Sequence, residues 1–295
     1  MLTASIIIPN LNSPHLVEII QALRQQTIKP LEVLIIGHDC YHSVQDDDWV
    51  RLLPTSEPIP PACARNLGLS YARGEICCFL DADCVPTQDW LEHLLKHHQQ
   101  GQTIVGGSIA IGDETFWQRC DNIASMGSLL STAPPGLRPY LATANFSIRQ
   151  NVLRKIGGFD PGFRFASGED TDLSFRLRKG NYMLYFAPEA VVIHRTNRKR
   201  PGAIWKHLWL YGYQWPRIQE KHIDLIGLSC WQYIYQKNYI SALFLIPFLV
   251  SMDTYGIYAQ QPSLLWKYWN TCPVVFFARL AWYGGRIAYM RENQV

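Results

Sequence analysis

Charge is scarce in this chain of 295 residues: 17% of positions are Asp, Glu, Lys or Arg, and 27 basic residues nearly cancel 24 acidic ones. A net charge of +3 lacks the basic excess of a dedicated nucleic-acid binder, so nucleic acid is not an expected partner. Cys-x-x-Cys spacing is absent. The eight cysteines are scattered, and Cys77 and Cys78, adjacent in one apolar run, point to opposite faces of a strand. They read as reduced thiols of a cytosolic protein. A signal peptide is missing too: Met1 leads within a few residues into Ser5-Ile6-Ile7-Ile8-Pro9, with no basic leader before it. The apolar block 239–252 covers only 14 positions, includes Pro247 and meets Asp253. That is short of the roughly 20 residues a spanning helix needs. Internal repeats and low-complexity tracts are also lacking.

What is present is apolar material, 48% of the chain, enough for a large core. Residues 4–8 read as a buried strand. Leu16, Ile19, Ile20 and Leu23 are spaced for a helix packed on a sheet, and 31–36 is a second strand. Residues 41–61, polar and rich in proline, are expected to be a surface connection. A short helix over 62–72 and a strand over 75–80 complete a strand–helix alternation, which predicts right-handed crossovers and a mostly parallel sheet. Further on, a strand over 104–111 contains Gly106-Gly107, the mark of a bulge or a close backbone approach. Helices follow over 116–131, 151–156 and 169–179, with strands over 182–186 and 191–194.

The most informative segment is Phe79-Leu80-Asp81-Ala82-Asp83-Cys84. A buried strand that delivers two carboxylates at its C-terminal end points at the ligand crevice of an open α/β sheet. Strand alternation turns Asp81 and Asp83 to one face, where two carboxylates attract a hard divalent cation and, through it, phosphates.

Taken in order, the segments resemble a family-2 inverting glycosyltransferase of the GT-A fold, from Ser5 to about Arg195. The matching pieces are Ser5–Pro9, Leu31–Ile36 with Asp39, Ala64-Arg65-Asn66-Leu67-Gly68, and Ala72–Ile76. Leu80–Asp83, Gly106-Gly107, Thr143-Ala144-Asn145, Gly157-Gly158-Phe159-Asp160 and Gly168-Glu169-Asp170 follow in register. The resemblance implies a nucleotide-sugar donor and a saccharide or lipid-linked acceptor. It implies Mg²⁺ or Mn²⁺ held by Asp83, with Asp81 on the ribose or a metal-bound water and His194 near the metal or diphosphate. Asp170 matches the family's catalytic base, and Glu169 beside it orients acceptor or base. On the donor side it places Pro9, Asn10, Asp39, Arg65, Asn66, Asp81 and Ala82. The chain departs from the family after its second strand, where Gly37-His38-Asp39-Cys40 replaces the usual two acids and Gly-Ser, leaving the nucleobase open. Asp172, paired with Arg176 at i+4, is read as structural.

Other classes fit less well. A Rossmann dehydrogenase needs Gly-x-Gly-x-x-Gly after its first strand, and Pro9-Asn10-Leu11-Asn12 stands there. A nucleotidyltransferase would carry a glycine-rich basic loop at that point. Tyr213-Gln214-Trp215-Pro216-Arg217 lacks the Gln-x-x-Arg-Trp order of processive synthases, so a single addition is expected. A non-catalytic nucleotide-sugar-binding or scaffold protein of the same fold is the alternative.

Composition shifts after residue 195, and eight of ten tryptophans lie after 116. Residues 1–200 are read as the catalytic domain, with 1–100 the nucleotide-sugar half and 101–200 the acceptor half. Residues 201–295 are read as an aromatic-rich helical extension. The segment 195–221 carries seven basic residues against Glu220 alone, and Ile204, Leu208, Tyr211, Trp215 and Ile218 form a helical stripe with a kink expected at Pro216. Two arrangements suit this extension: peripheral attachment at the inner face of the plasma membrane, or packing on the catalytic domain or on a second copy in a homodimer.

Overall fold

A computed structural model describes residues 2–112, 114–227, 231, 234 and 239–293. Cys230 lies outside them; the other seven cysteines are free thiols. The chain divides into two compact units, 1–110 with 134–195, and 111–133 with 196–295. A single boundary near residue 200 does not describe this division, because 111–133 belongs with the C-terminal helices.

The first unit is built on one sheet. Its strands are β1 (Ala4–Leu11), β2 (Glu32–His38), β3 (Val50–Pro54), β4 (Ile76–Leu80), β5 (Cys84–Pro86), β6 (Ile104–Ile109), β7 (Gly136–Leu137), β8 (Asn145–Arg149) and β9 (Tyr185–His194). The order is β3-β2-β1-β4-β8-β6-β9-β5, with β7 on β9. Pairing is parallel across β3-β2-β1-β4, antiparallel on both sides of β8, and parallel again between β6 and β9. Ile6, Ile7, Ile8, Val33 to Ile36 and Ile76 to Leu80 are buried. Such continuous apolar runs suit parallel strands covered on both faces. Helices α1 (Leu16–Arg24), α2 (Pro61–Tyr71) and α3 (Trp90–Gln99) provide cover, and Leu16, Ile19, Ile20 and Leu23 are the buried face of α1.

Two sequence expectations need correction. The stretch 41–61 is not only a connection: Val50–Pro54 is an edge strand, parallel to β2. Its half-exposed pattern and flanking polar residues hide it from a search for apolar periodicity. The two strands expected over 182–194 are one strand, β9, running through Pro188, and the register of β6 against it shifts between Gly106 and Ser108.

The second unit is helical. It contains α4 (Phe116–Met126) from the inserted segment; α5 (Gln150–Lys155) and α6 (Glu169–Lys179) belong to the first unit, and α7 (Pro201–Lys221) to the second. Helices Ile223–Ile226, Tyr239–Ala259, Pro262–Tyr268 and Cys272–Glu292 also belong to it. α7 continues as one helix through Pro216, burying Ile204, Leu208 and Ile218. A Cβ on Gly212 would sit 1.8 Å from the Trp282 carbonyl, and one on Gly285 would sit 2.0 Å from that of Trp209. Glycine on both sides therefore lets α7 and the last helix touch backbone to backbone. Asp121 of α4 is fully buried and accepts from Arg198 Nε at 2.6 Å, with His207 Nδ1 at 2.7 Å from its other oxygen. Burial alone would raise its pKa, but His207 and Arg198 hold the carboxyl below its ordinary range.

Candidate active site

In the order β3-β2-β1-β4 the crossover direction reverses between β1 and β4, and the carboxyl ends beside that reversal form the ligand crevice of such a sheet. β4 ends at Leu80, and Asp81 to Asp83 follow at this place. They do not extend the strand. The Cys84 N–H donates to the Asp81 carbonyl at 3.0 Å, closing a turn, and β5 leaves in a new direction. Strand alternation therefore does not carry past Leu80, and the two carboxylates have separate surroundings.

Asp83 Oδ2 lies 3.4 Å from His194 Nε2, and Cys84 Sγ lies 3.8 Å from Asp83 Oδ1. Ligand atoms of Asp83, Cys84 and His194 all fall within 4.8 Å of one another. The β5–β9 register explains this, since it sets Cys84 directly opposite His194. The Arg195 N–H donates to the Asp83 carbonyl at 2.7 Å and fixes the end of β9 against the turn. A carboxylate and an imidazole whose ligand atoms converge in this way fit a divalent cation. Asp81, expected as a further ligand, is not in this group. Cys84, which sequence reading passed over, is.

Asp81 instead accepts at Oδ1 from Arg65 Nη2 at 2.8 Å. Arg65 Nη1 donates to Glu169 Oε1, also at 2.8 Å, so one buried guanidinium of α2 joins the β4–β5 turn to the first turn of α6. Arg65 is thus engaged by two carboxylates. α6 opens after Gly168, whose φ of +93° is easy only for glycine. Its first turn holds Glu169, Asp170 and Asp172, and its last turn Arg176, Arg178 and Lys179, each sign at the favourable end of the helix dipole. Asp172 accepts from Arg176 at 2.8 Å, the i+4 pair read from sequence. Asp170 is half-buried, with Oδ1 accepting from the Thr171 N–H at 2.7 Å. Burial pushes the Asp170 carboxyl above its ordinary range, against the pull of Arg65, and Asp81 adds to the rise. Glu169 is also raised, by burial first and by Asp170, with Arg65 opposing.

The other expected donor-side residues divide. Asp39, after β2, accepts from the Val44 N–H at 2.8 Å, and its Oδ1 has no hydrogen-bond partner among the described residues. That leaves a buried acceptor oxygen just after β2. Asn10 is buried, donating to the His38 carbonyl at 2.6 Å and accepting from Ser13, so it ties β1 to β2. Asn66 uses both ends of its amide on the Phe159 backbone at 2.8 Å, holding the Gly157–Asp160 turn. Pro9 is partly buried within β1, and the Ala82 carbonyl accepts from the Ser13 hydroxyl.

The match to glycosyl transferase family 2 spans residues 5–167, and the chain belongs to that family. The pre-mycofactocin glycosyltransferase of Mycobacterium tuberculosis is 30% identical over 181 residues, covering 57% of this chain and 38% of that protein. Glycosyltransferase AglE of Haloferax volcanii is 27% identical over 205 residues, 64% of this chain and 66% of its own length. This chain thus spans well under half of the first relative and about two thirds of the second. Among solved structures, the mannosyltransferase PcManGT from Pyrobaculum calidifontis, in complex with GDP-Man and Mn²⁺, superposes with a TM-score of 0.58 at 15% identity, over 97% of this chain and 87% of that one. GalNAc-T7 with UDP, GalNAc and Mn²⁺ gives 0.54 at 15% identity, over 76% and 50%. These likenesses establish a shared fold.

Proposed function

We propose that this chain transfers a glycosyl group from a nucleotide-diphosphate sugar to an acceptor hydroxyl by a single displacement with inversion. The observation that carries the reading is the pairing of Asp83 with His194 at the carboxyl end of the parallel strands. Family membership and the nucleotide and Mn²⁺ complexes of PcManGT and GalNAc-T7 support it. Asp83 and His194 are the residues that would hold Mn²⁺ or Mg²⁺, which supplies positive charge for a leaving diphosphate. Asp39 accepts from the base or ribose of the donor. Asp170 removes the proton of the acceptor hydroxyl, and its raised pKa brings it closer to the range where a carboxylate works as a base. Arg65 and Glu169 hold Asp81 and the start of α6 in place. One base and no second nucleophile among these residues favour direct displacement, so an α-linked donor gives a β-linked product. A scaffold protein of the same fold would have no reason to keep both Asp83 and Asp170. The test is a panel of UDP-, GDP- and dTDP-sugars with Mn²⁺, followed by proton NMR of the anomeric signal in the first product. A retained anomer, or no turnover of any donor, would overturn the reading.

The second unit favours work at a membrane surface, and with it a lipid-linked acceptor or envelope polysaccharide. No helix among the described residues is long and apolar enough to cross a membrane. The helix Tyr239–Ala259 buries Ile246 and Val250 against Trp231, Tyr283 and Met290. Its other face leaves Phe244, Phe248, Met252 and Tyr255 exposed, at 81%, 62%, 55% and 75%. These positions recur at helical spacing and form one stripe. Trp266 and Trp269 are exposed as well. Aromatic residues so placed, with the exposed cations Lys199, Arg200 and Lys206, suit a headgroup boundary on an anionic bilayer.

A further inference from the structure

We propose that Cys84 is a third protein ligand of the Asp83–His194 cation site and that its thiolate directs this site toward Zn²⁺. The inference rests on the reading of Asp83 and His194 as metal ligands and goes beyond it. Hard ions such as Mg²⁺ take oxygen ligands and gain little from sulfur, whereas a thiolate beside an imidazole suits zinc. Cys77 and Cys78 are as deeply buried as Cys84 but belong to no such group, so burial of a thiol alone does not explain the arrangement.

Two paired strands set the geometry. Directly opposed residues of an antiparallel pair present their side chains on one face, and Cys84 of β5 is opposed to His194 of β9. The Arg195 N–H ties the Asp83 carbonyl to the same strand end. All three side chains therefore come from backbone that is hydrogen-bonded together before any ion arrives. Asp83 Oδ2 is 3.4 Å from His194 Nε2, Cys84 Sγ is 3.8 Å from Asp83 Oδ1, and ligand atoms of the three lie within 4.8 Å of one another. Tetrahedral Zn²⁺, with bonds of about 2.0–2.2 Å to nitrogen and oxygen and about 2.3 Å to sulfur, holds its ligands about 3.3–3.6 Å apart. Small side-chain adjustments reach that spacing. Coordination takes the place of the thiol proton, which passes to buffer. Among the described residues no further His, Cys, Asp or Glu joins the group. Cys84 and His194 are buried while the Asp83 side chain is 34% exposed, so the side of the site that meets water is the carboxylate's. Three protein ligands and one position left for an outside oxygen is the composition of a reactive zinc site rather than a closed structural one.

The test uses the full chain, stripped of metal and kept reduced. Co²⁺, a spectroscopic stand-in for Zn²⁺, should bind saturably and develop a thiolate-to-Co²⁺ charge-transfer band in the near ultraviolet, and Cys84→Ser should lack that band. Measured by competition with a chromophoric chelator, Cys84→Ser should weaken Zn²⁺ binding at least about 100-fold, the upper end of what losing a mere outer partner of a ligand costs. Its Mn²⁺ affinity, read from the paramagnetic resonance of the free ion, should change less than about tenfold, because Mn²⁺ relies on oxygen ligands. The contrast is needed because nitrogen and oxygen ligands alone already rank Zn²⁺ above Mn²⁺. Cys84→Ala, which buries no hydroxyl, repeats the measurements if the serine variant fails to fold. Co²⁺ uptake without the band, a band that survives in the variants, or equal losses for Zn²⁺ and Mn²⁺ would each overturn the proposal while the Asp83–His194 site stands. No uptake of any of the three ions removes that site, and the proposal with it. The band in a protein that turns over no nucleotide sugar supports the thiolate site and counts against the enzyme.

Discussion

Arg65 and Glu169 stand 104 positions apart in the chain and meet at 2.8 Å, both side chains buried. The guanidinium's other arm is on Asp81, so a single cation joins three elements at the crevice. Removing it would leave buried carboxylate without compensation, a loss of about 3–5 kcal/mol. Arg65→Met is expected to lower unfolding free energy by that order, and Arg65→Met with Glu169→Gln to recover part of it. Urea denaturation of the two variants and native protein checks this. A single variant as stable as native would show that the pair contributes nothing.

Asp170, as base, must be ionised to act. Its carboxyl is raised above the ordinary 3.8, so activity should fall as pH drops through a value above the usual aspartate range. Asp170→Asn should lower kcat by about 10²–10⁴ with the fold intact. The pH–rate profile and the variant's turnover together test the assignment; near-native turnover by the variant would sink it.

Much of this candidate site could be read from sequence because its titratable side chains stand at element ends, where strand and helix signals are strongest. Asp83, Asp170 and His194 are of this kind. Cys84 could not be read, since its place depends on a three-residue strand set opposite His194 by register. The likeness expected between Asp81 and Asp83 fails because the chain turns after Leu80, and alternation holds only while a strand continues. Arg65 and Asn66 look like ligand contacts in a motif, yet their partners are protein groups far along the chain, which no local pattern reveals. The edge strand β3 is concealed by its half-exposed composition.

His98 gives a pH test of the fold itself. It is fully buried, with Nδ1 2.9 Å from the Gln102 carbonyl and Nε2 2.9 Å from the Ser147 hydroxyl. The carbonyl can only accept, so Nδ1 carries the proton of a neutral ring. Burial lowers its pKa from 6.5 to about 4. The unfolded chain takes up a proton below pH 6.5 and the folded one does not. The associated stability is thus complete above 6.5 and is lost as pH falls toward 4, by roughly 3 kcal/mol. Urea melts of native protein and His98→Gln between pH 7 and 4.5 should show a steeper decline in the native protein; parallel declines would contradict this.

The exposed stripe on Tyr239–Ala259 predicts vesicle binding. Each phenylalanine withdrawn from water contributes about 1.5–3 kcal/mol, so Phe244→Ser with Phe248→Ser should weaken binding to anionic liposomes at least about 100-fold. Native binding should also weaken at high salt. Flotation gradients check both, and native protein that stays at the bottom under every condition refutes the membrane reading.

Under the proposed function Asp83 and His194 hold the metal for sugar transfer, and a Mn²⁺ titration of donor turnover tests this most directly. Native protein stripped with a chelator should be inactive and should recover saturably as Mn²⁺ is added. Asp83→Asn should remain at least about 100-fold below native at every concentration. Full turnover in the chelator, or an Asp83→Asn curve that overlays the native one, would contradict the account.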